Sequence, residues 1–599
     1  MRNFFKSCAF LLPVIFIMFM LSTGCETEKV VTETVTVHDT VTVTITVHDT
    51  ITILVNGVEV DTVVANPAMI AQGGTVELTA SATAQPGVGP LTFNWFASAG
   101  ELDAQTGDTV HWKAPDDPQV VTITVHAANA AGTFIGIGAS MVGVEMYVPT
   151  VTPYYLGDAS CAGCHSGTHN AWGQTAHADA WASLMESGHP APYCFPCHAV
   201  GWDFNLVDST FVGNTGNSGY DEAPIAKFED VQCENCHGPA SDHVAQVNPA
   251  LVQVSYDVMN CGQCHEGTHH PYLTEWNESP HNFDPYAHPS ASCGGCHDGV
   301  ASAIRLSGES NYPLNVYYGS GAITTRPDTA SVPLEAIVCQ ACHDPHSAEN
   351  PGQIRTVADV PLKTPTGQPQ VFVTPGGTGK LCMHCHHARS GPADHIPNGN
   401  QRFGPHYSPQ ADVMAAETGF EGVADPTFNW AGPSHLLVQN SCKTCHLNMI
   451  EYPGPAGSAV TGHKFEPTPE ACVNCHGSIT AFTQIPAAAD FDGDGTVEGL
   501  QEEVDGLMVL LRDAIVNTPP GLDTTTKGFI GALGDPLLST LEQREAGWNW
   551  VYVYRDASRG IHNPDYIVQL LQESYNYITS QPVPGAVAVR NDNEAVKNW

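Results

Sequence analysis

Cys233-Glu-Asn-Cys236-His237 decides how this chain folds. Two thiols with two residues between them fall about one helical turn apart, and an imidazole follows directly on the second. The same Cys-x-x-Cys-His spacing recurs, nine copies in all, beginning at Cys161, Cys194, Cys233, Cys261, Cys293, Cys339, Cys382, Cys442 and Cys472. Each copy offers two thiols that can add across the vinyl groups of a haem, and a histidine that can reach the iron. The expected attachment residues are therefore Cys161, Cys164, Cys194, Cys197, Cys233, Cys236, Cys261, Cys264, Cys293, Cys296, Cys339, Cys342, Cys382, Cys385, Cys442, Cys445, Cys472 and Cys475. The expected proximal iron ligands are His165, His198, His237, His265, His297, His343, His386, His446 and His476.

Composition alone would yield about 0.03 copies of such a motif in a chain like this one. Disulfides would not demand a histidine after every second cysteine, and zinc sites would show pairs of pairs without it. The motifs use 18 of the 20 cysteines, leaving Cys8 and Cys25 near the N-terminus. Nine haems between residues 161 and 476 must form most of the local core, so helices there are expected to be short and to start at the motifs. Rings packed that closely make a conductor.

The rest of the composition agrees. At 599 residues the chain is too long for one core, so several domains are expected. The formal net charge of −41 leaves no basic patch for nucleic acid. It suits solubility, metal ions or cationic partners.

Residues 1–25 read as an export signal, with Arg2 and Lys6 ahead of the apolar run Cys8–Leu21. Leu21-Ser-Thr-Gly-Cys25 resembles a bacterial lipoprotein processing site, which would lipidate Cys25; ordinary signal cleavage is the alternative. Residues 26–65, rich in Val and Thr, read as an extended stalk. Residues 66–148 read as a β-sandwich with strands at Thr75–Ala82, Leu91–Ala97, Thr109–Lys113, Val120–Ala127 and Thr133–Val144. Its Trp95 resembles the core tryptophan of Ig-like and PKD-like modules. The haem region spans 154–480, and 485–599 forms a helical tail. In that tail Leu500, Val504, Leu507, Leu511 and Ile515 keep helical spacing, as do Ile567, Leu570, Leu571, Tyr575 and Ile578. The fold class is thus multidomain: an all-β Ig-like/PKD-like sandwich, a mostly irregular and short-helical multihaem region, and a helical tail.

If every iron takes two histidines, nine more are needed, and 16 stand outside the motifs beyond Tyr154. A Trp-x-x-x-x-His pattern marks His177, His281 and His435, each preceded by Trp172, Trp276 or Trp430. A second echo, Cys-His-x-Gly-Thr-His at 164–169 and 264–269, adds His169 and His269 as candidates, and His189 is a further one.

Ala171-Trp-Gly-Gln-Thr-Ala-His177 and Val231-Gln-Cys-Glu-Asn-Cys-His-Gly-Pro-Ala-Ser-Asp-His243 resemble the cytochrome c554 family. Cys339-Gln-Ala-Cys-His-Asp-Pro-His346, Gly404-Pro-His-Tyr-Ser-Pro-Gln-Ala-Asp412 and Gly462-His-Lys-Phe resemble related cytochromes with paired motifs, the superfamily of nitrite reductases and hydroxylamine oxidoreductases. The resemblance covers about 155–480 and implies that His243, His346, His406 and His463 are distal iron ligands. Gly560-Ile-His-Asn-Pro-Asp-Tyr566 is similar to a segment that returns one more ligand, His562. Asn563 is placed to cap the following helix, with Pro564 at its first position. The nitrite reductases usually carry Lys where one proximal His would be; here every motif ends in His, and no catalytic residue is assigned.

Asp490-Phe-Asp-Gly-Asp-Gly-Thr-Val-Glu498 follows the register of an EF-hand-type loop. Asp490, Asp492, Asp494, Thr496, Glu498 and Glu502 are its candidate Ca²⁺ ligands, Gln501 standing at position twelve.

These readings lead to nine haem c groups, a Ca²⁺ ion, and electron transfer outside the cytoplasm. The expected setting is a cell-surface lipoprotein or a secreted protein, with other cytochromes, a metal oxide or a partner cell as redox partners. A membrane contact is expected only through the N-terminal lipid. Two alternatives remain: an oxidoreductase acting on nitrite, hydroxylamine, tetrathionate or a similar small compound, and a subunit of a conductive homopolymer.

Overall fold

The computed structural model describes residues 57–66, 69–205, 210–283, 291–308, 335–364, 368–450 and 457–589. The export signal, Cys25 and the stalk up to residue 56 lie outside them. The chain divides into two compact units, 1–150 and 151–599.

The first unit is a sandwich of two four-stranded sheets. One runs β1 (Val58–Asn66), β3 (Thr75–Ala84), β6 (Thr109–Lys113), β5 (Glu101–Leu102); the other runs β2 (Met69–Ile70), β8 (Ile135–Val144), β7 (Gln119–Asn129), β4 (Leu91–Ala97). All pairings are antiparallel except β2 with β8. Val58–Asn66, expected as the end of a stalk, is the outer strand of the first sheet. Alternation explains the core: Val121, Ile123, Val125 and Ala127 of β7 point inward, and Val58, Val60, Val76 and Leu78 answer from the other sheet. Trp95 is buried as expected, and Trp112 joins it; their indole N–H groups donate to Gly107 O and Ala99 O, each at 2.8 Å. A buried indole needs such a partner.

The second unit changes character at residue 480. Up to there the backbone is mostly turns, and short helices recur at the motifs: Ala159–Ala162, Phe195–His198, Cys233–His237, Met259–Gly262, Ala291–His297, Cys339–Cys342, Lys380–Met383, Cys442–His446 and Val473–His476. Helices that short cannot sustain themselves by propagation, so neighbouring groups must hold them.

Beyond 480 three long helices pack together: α1 (Leu500–Asn517), α2 (Leu541–Asp556) and α3 (Pro564–Thr579). Leu500, Val504, Leu507, Leu511 and Ile515 are all buried, as their spacing requires, and join Trp548, Tyr552, Tyr566, Ile567, Leu570 and Leu571 in one core. Asn563 stands at the N-cap of α3 but makes no side-chain cap bond. Its amide is used across the core instead: Nδ2 donates to Val413 O at 3.1 Å and Oδ1 accepts from Ser434 Oγ at 3.3 Å. This clasps the segment carrying His562 onto the motif region. Among the described residues no helix is long and apolar enough to cross a membrane.

Candidate haem-binding site

All nine motif histidines line one continuous cavity of about 2510 Å³ in the second unit. Eight of them face a second imidazole. The pairs are His165 with His243, His265 with His177, His237 with His346, His386 with His281, His297 with His406, His343 with His463, His476 with His435, and His446 with His562. Ring centroids are 6.0 to 6.3 Å apart in every case. That spacing is chemically informative. A metal–imidazole bond of about 2 Å plus about 1 Å from nitrogen to ring centroid, taken twice, gives about 6 Å. Direct imidazole stacking would be closer. The residues thus fit a metal held between two histidines, and paired cysteines beside each motif histidine supply the tether that haem c requires.

Backbone carbonyls orient these rings. The Nδ1–H of His237 donates to Gln253 O at 2.6 Å, that of His343 to Gly352 O at 2.8 Å, that of His446 to Phe465 O at 2.9 Å and that of His243 to Asn248 O at 2.9 Å. A proton fixed on Nδ1 leaves Nε2 unprotonated and aimed at the partner ring. Burial pushes His265 and His281 down to about 4, so both stay neutral, the form that binds a metal. His406 is also lowered to about 4, by burial and then by the nearby Arg389. It is held at φ 88, just after Gly404 at φ 114. A Cβ on Gly404 would lie 2.4 Å from Val551 Cγ1, so this turn requires glycine.

The cysteines of different motifs also meet. The thiols of Cys161 and Cys233 are neighbours close enough to influence one another, as are those of Cys197 and Cys264, Cys261 and Cys339, Cys296 and Cys385, and Cys382 and Cys442. Cys236 is near enough to Cys261 and Cys264 to feel their charge, and the same holds for Cys342 with Cys382 and for Cys445 with Cys472 and Cys475. The attachment points therefore run in the order first, third, fourth, sixth, seventh, eighth, ninth motif. The second joins at the fourth and the fifth at the seventh. Of the eighteen motif cysteines only Cys164 and Cys475 are exposed, and they belong to the two ends of that row.

Residues inside the motifs, read from sequence as mere spacers, build these junctions. Glu234 is 1 % exposed and accepts from Leu156 N, Gly157 N and Ala240 N at 2.7–2.8 Å, fastening the entry to the first motif onto the third. Asn235 Nδ2 donates to Ala199 O at 2.9 Å, and Gln263 Nε2 to Asn235 O at 3.3 Å, linking the second, third and fourth motifs. Only the tertiary contacts disclose this, because polar residues in a turn look alike in sequence.

His198 differs from the other eight. Its Nδ1–H donates to Ala180 O at 2.8 Å, but among the described residues no second imidazole stands at the pair distance. His270, which the sequence reading passed over, is exposed, yet it lies near enough to His269 and His198 for their charges to lower its pKa beyond the effect of its surroundings. Three expected candidates are not brought to a motif histidine. His169 Nε2 lies 2.7 Å from Asp158 Oδ2, His189 is exposed, and the His269 ring lies 6.2 Å from that of His270.

At the start of the tail, ligand atoms of Asp490, Asp492 and Asp494 lie within 4.8 Å of one another, and so do those of Asp492, Glu498 and Glu503. The loop is wound by its own carboxylates: Asp490 accepts from Gly493 N and Gly495 N at 2.6 and 2.9 Å, and Asp494 accepts from Thr496 N at 2.7 Å. Glu502, the expected closing ligand, accepts instead from Gly499 N at 3.3 Å, capping α1. The fully buried Glu503 takes its place against the loop, accepting from Phe491 N at 2.7 Å and Glu498 N at 3.0 Å.

Residues 160–238, which hold the first three motifs, match the family described as cytochrome c554 and c-prime. The solved outer cell wall cytochrome OcwA is similar over 71 % of this chain and 99 % of its own, at 17 % identity and a TM-score of 0.44. No curated protein matches the chain.

Proposed function

We propose that this chain, a multihaem c-type cytochrome with a cytochrome c554-like segment, carries electrons along nine covalently attached haems. Bound haem supplies an iron that gains or loses one electron without any bond being made or broken. The eight imidazole pairs are the observation that carries the reading, since two histidines on one iron suit electron transfer better than substrate binding. Imidazoles fixed by carbonyl acceptors change little between the two oxidation states. The order of cysteine contacts supports a row with its ends at the first and ninth motifs, near the exposed Cys164 and Cys475. Other cytochromes or an extracellular acceptor, a metal oxide or a partner cell, would dock there. The export signal, lipidation at Cys25 and a surface location complete the reading, and Ca²⁺ at Asp490, Asp492, Asp494, Glu498 and Glu503 would fasten the tail. Purified holoprotein should contain nine covalent haems and show overwhelmingly low-spin iron by electron paramagnetic resonance. A haem count well below nine, or mostly high-spin iron, would overturn it.

A second reading has its own observation. Among the described residues no imidazole pairs with His198, which favours one iron able to bind a small nitrogen or sulfur compound, fed as a side branch from the fourth motif. Assembly into a conductive homopolymer has no comparable support in the residues.

A further inference from the structure

Opposite charges face one another across the junction between the seventh and eighth motifs. On one side lie two guanidinium groups. Arg305 is 1 % exposed; its Nε donates to Gly295 O at 3.0 Å, and its Nη2 donates to His384 O at 3.2 Å and lies 3.1 Å from Cys385 Sγ. Arg389 Nη2 donates to Cys385 O at 3.0 Å and lies 3.2 Å from Cys296 Sγ, while its Nη1 is 3.1 Å from His387 Nε2. Both cations thus bracket the sulfurs of the fifth and seventh motifs. Asp412, buried nearby, spends its carboxylate on Ala388 N and Thr418 Oγ1.

On the other side stands a buried carboxylate. His562, paired with the eighth motif's His446, has its Nδ1 2.7 Å from Asp556 Oδ1, and the Asp556 side chain is fully enclosed. The other oxygen of Asp556 accepts from Ser558 N and Ser558 Oγ, which holds the carboxylate in place. Cys442 of the eighth motif packs in one cluster with Met383 of the seventh, so the two environments adjoin.

We propose that these groups build a downhill electron step from the eighth motif to the seventh and fifth. The proposal rests on the haem attachment argued above. A fixed cation beside a haem stabilises the form with one more electron and so raises its reduction potential. A carboxylate accepting the ligand's Nδ1–H makes that imidazole more basic and stabilises the ferric form, which lowers the potential. In a low-dielectric interior neither effect is screened as it would be at the surface. The step would balance simply: an iron held by His446 and His562 would give up the one electron that an iron held by His386 and His281 would take.

The test is a redox titration of the full holoprotein, followed by visible absorption and electron paramagnetic resonance, on Asp556→Asn, Arg305→Gln, Arg389→Gln and Arg389→Lys. Asn at 556 keeps an acceptor for His562 but removes the charge; one haem should then become easier to reduce by about tenfold, or about 59 mV for one electron. Arg389→Gln should shift two haems in the opposite direction by a similar factor, and Arg389→Lys should largely restore them. If Arg305→Gln fails to accumulate, the Asp556 and Arg389 variants decide the matter. Unchanged potentials in both, with nine haems attached, would overturn the proposal. A haem count short of nine in the parent protein would instead sink the attachment reading beneath it.

Discussion

The rings of His237 and His346 are parallel to within 7°, with centroids 6.1 Å apart. One follows the second cysteine of the third motif; the other follows the sixth motif. The Nδ1–H of His237 is tied to Gln253 O, which fixes its ring while His346, half-exposed, closes the gap from a loop. The pair's spacing fits a metal held between the two imidazoles.

His346→Ala should therefore leave the fold and all nine covalent haems intact. One low-spin iron should turn high-spin in electron paramagnetic resonance, and added imidazole should reverse the change. Retention of the full low-spin signal would exclude His346 as a ligand.

At His198 the unsubstituted protein should bind one equivalent of cyanide or nitric oxide, read by optical titration of the holoprotein. No uptake would mean that a second ligand, His270 being the residue at hand, closes that iron in solution.

Gly404→Ala places a methyl group against Val551 and on a backbone at φ 114. A substitution of this kind costs more than the roughly 1 kcal/mol that glycine's flexibility usually does. Because His406 follows two residues later at φ 88, the expected outcome is a lower unfolding temperature together with one new high-spin iron. An unchanged spectrum would separate the turn from the ligand.

Ca²⁺ removal by chelation should lower the unfolding temperature of the tail. At one hundred times its dissociation constant a bound ion adds about 2.7 kcal/mol. Glu503→Gln should abolish the dependence on Ca²⁺ and Glu502→Gln should not, which calorimetry with and without chelator would resolve.

Leu511→Ala removes a fully buried side chain from the core of α1 and should cost about 2–5 kcal/mol in chemical denaturation. The motif row before residue 480 should keep its haems, while the His446–His562 site, which depends on the docked tail, should be weakened.

The sequence alone determined the nine Cys-x-x-Cys-His motifs, the β-sandwich strands around Trp95 and the buried stripe from Leu500 to Ile515. Each depends on spacings of a few residues, which covalent geometry converts directly into a shared helical turn or a shared face. Trp-x-x-x-x-His singled out His177, His281 and His435, each of which lies opposite a motif histidine, yet it could not say which one. His177 lies opposite the fourth motif's His265 and His281 opposite the seventh motif's His386, because these partners are set by how distant loops pack. The same holds for the clasp at Asn563, the exchange of Glu502 for Glu503 and the charges of Arg305, Arg389 and Asp556. Electrostatic effects depend on distance through space and on exclusion of water, and neither is written in the order of residues along the chain.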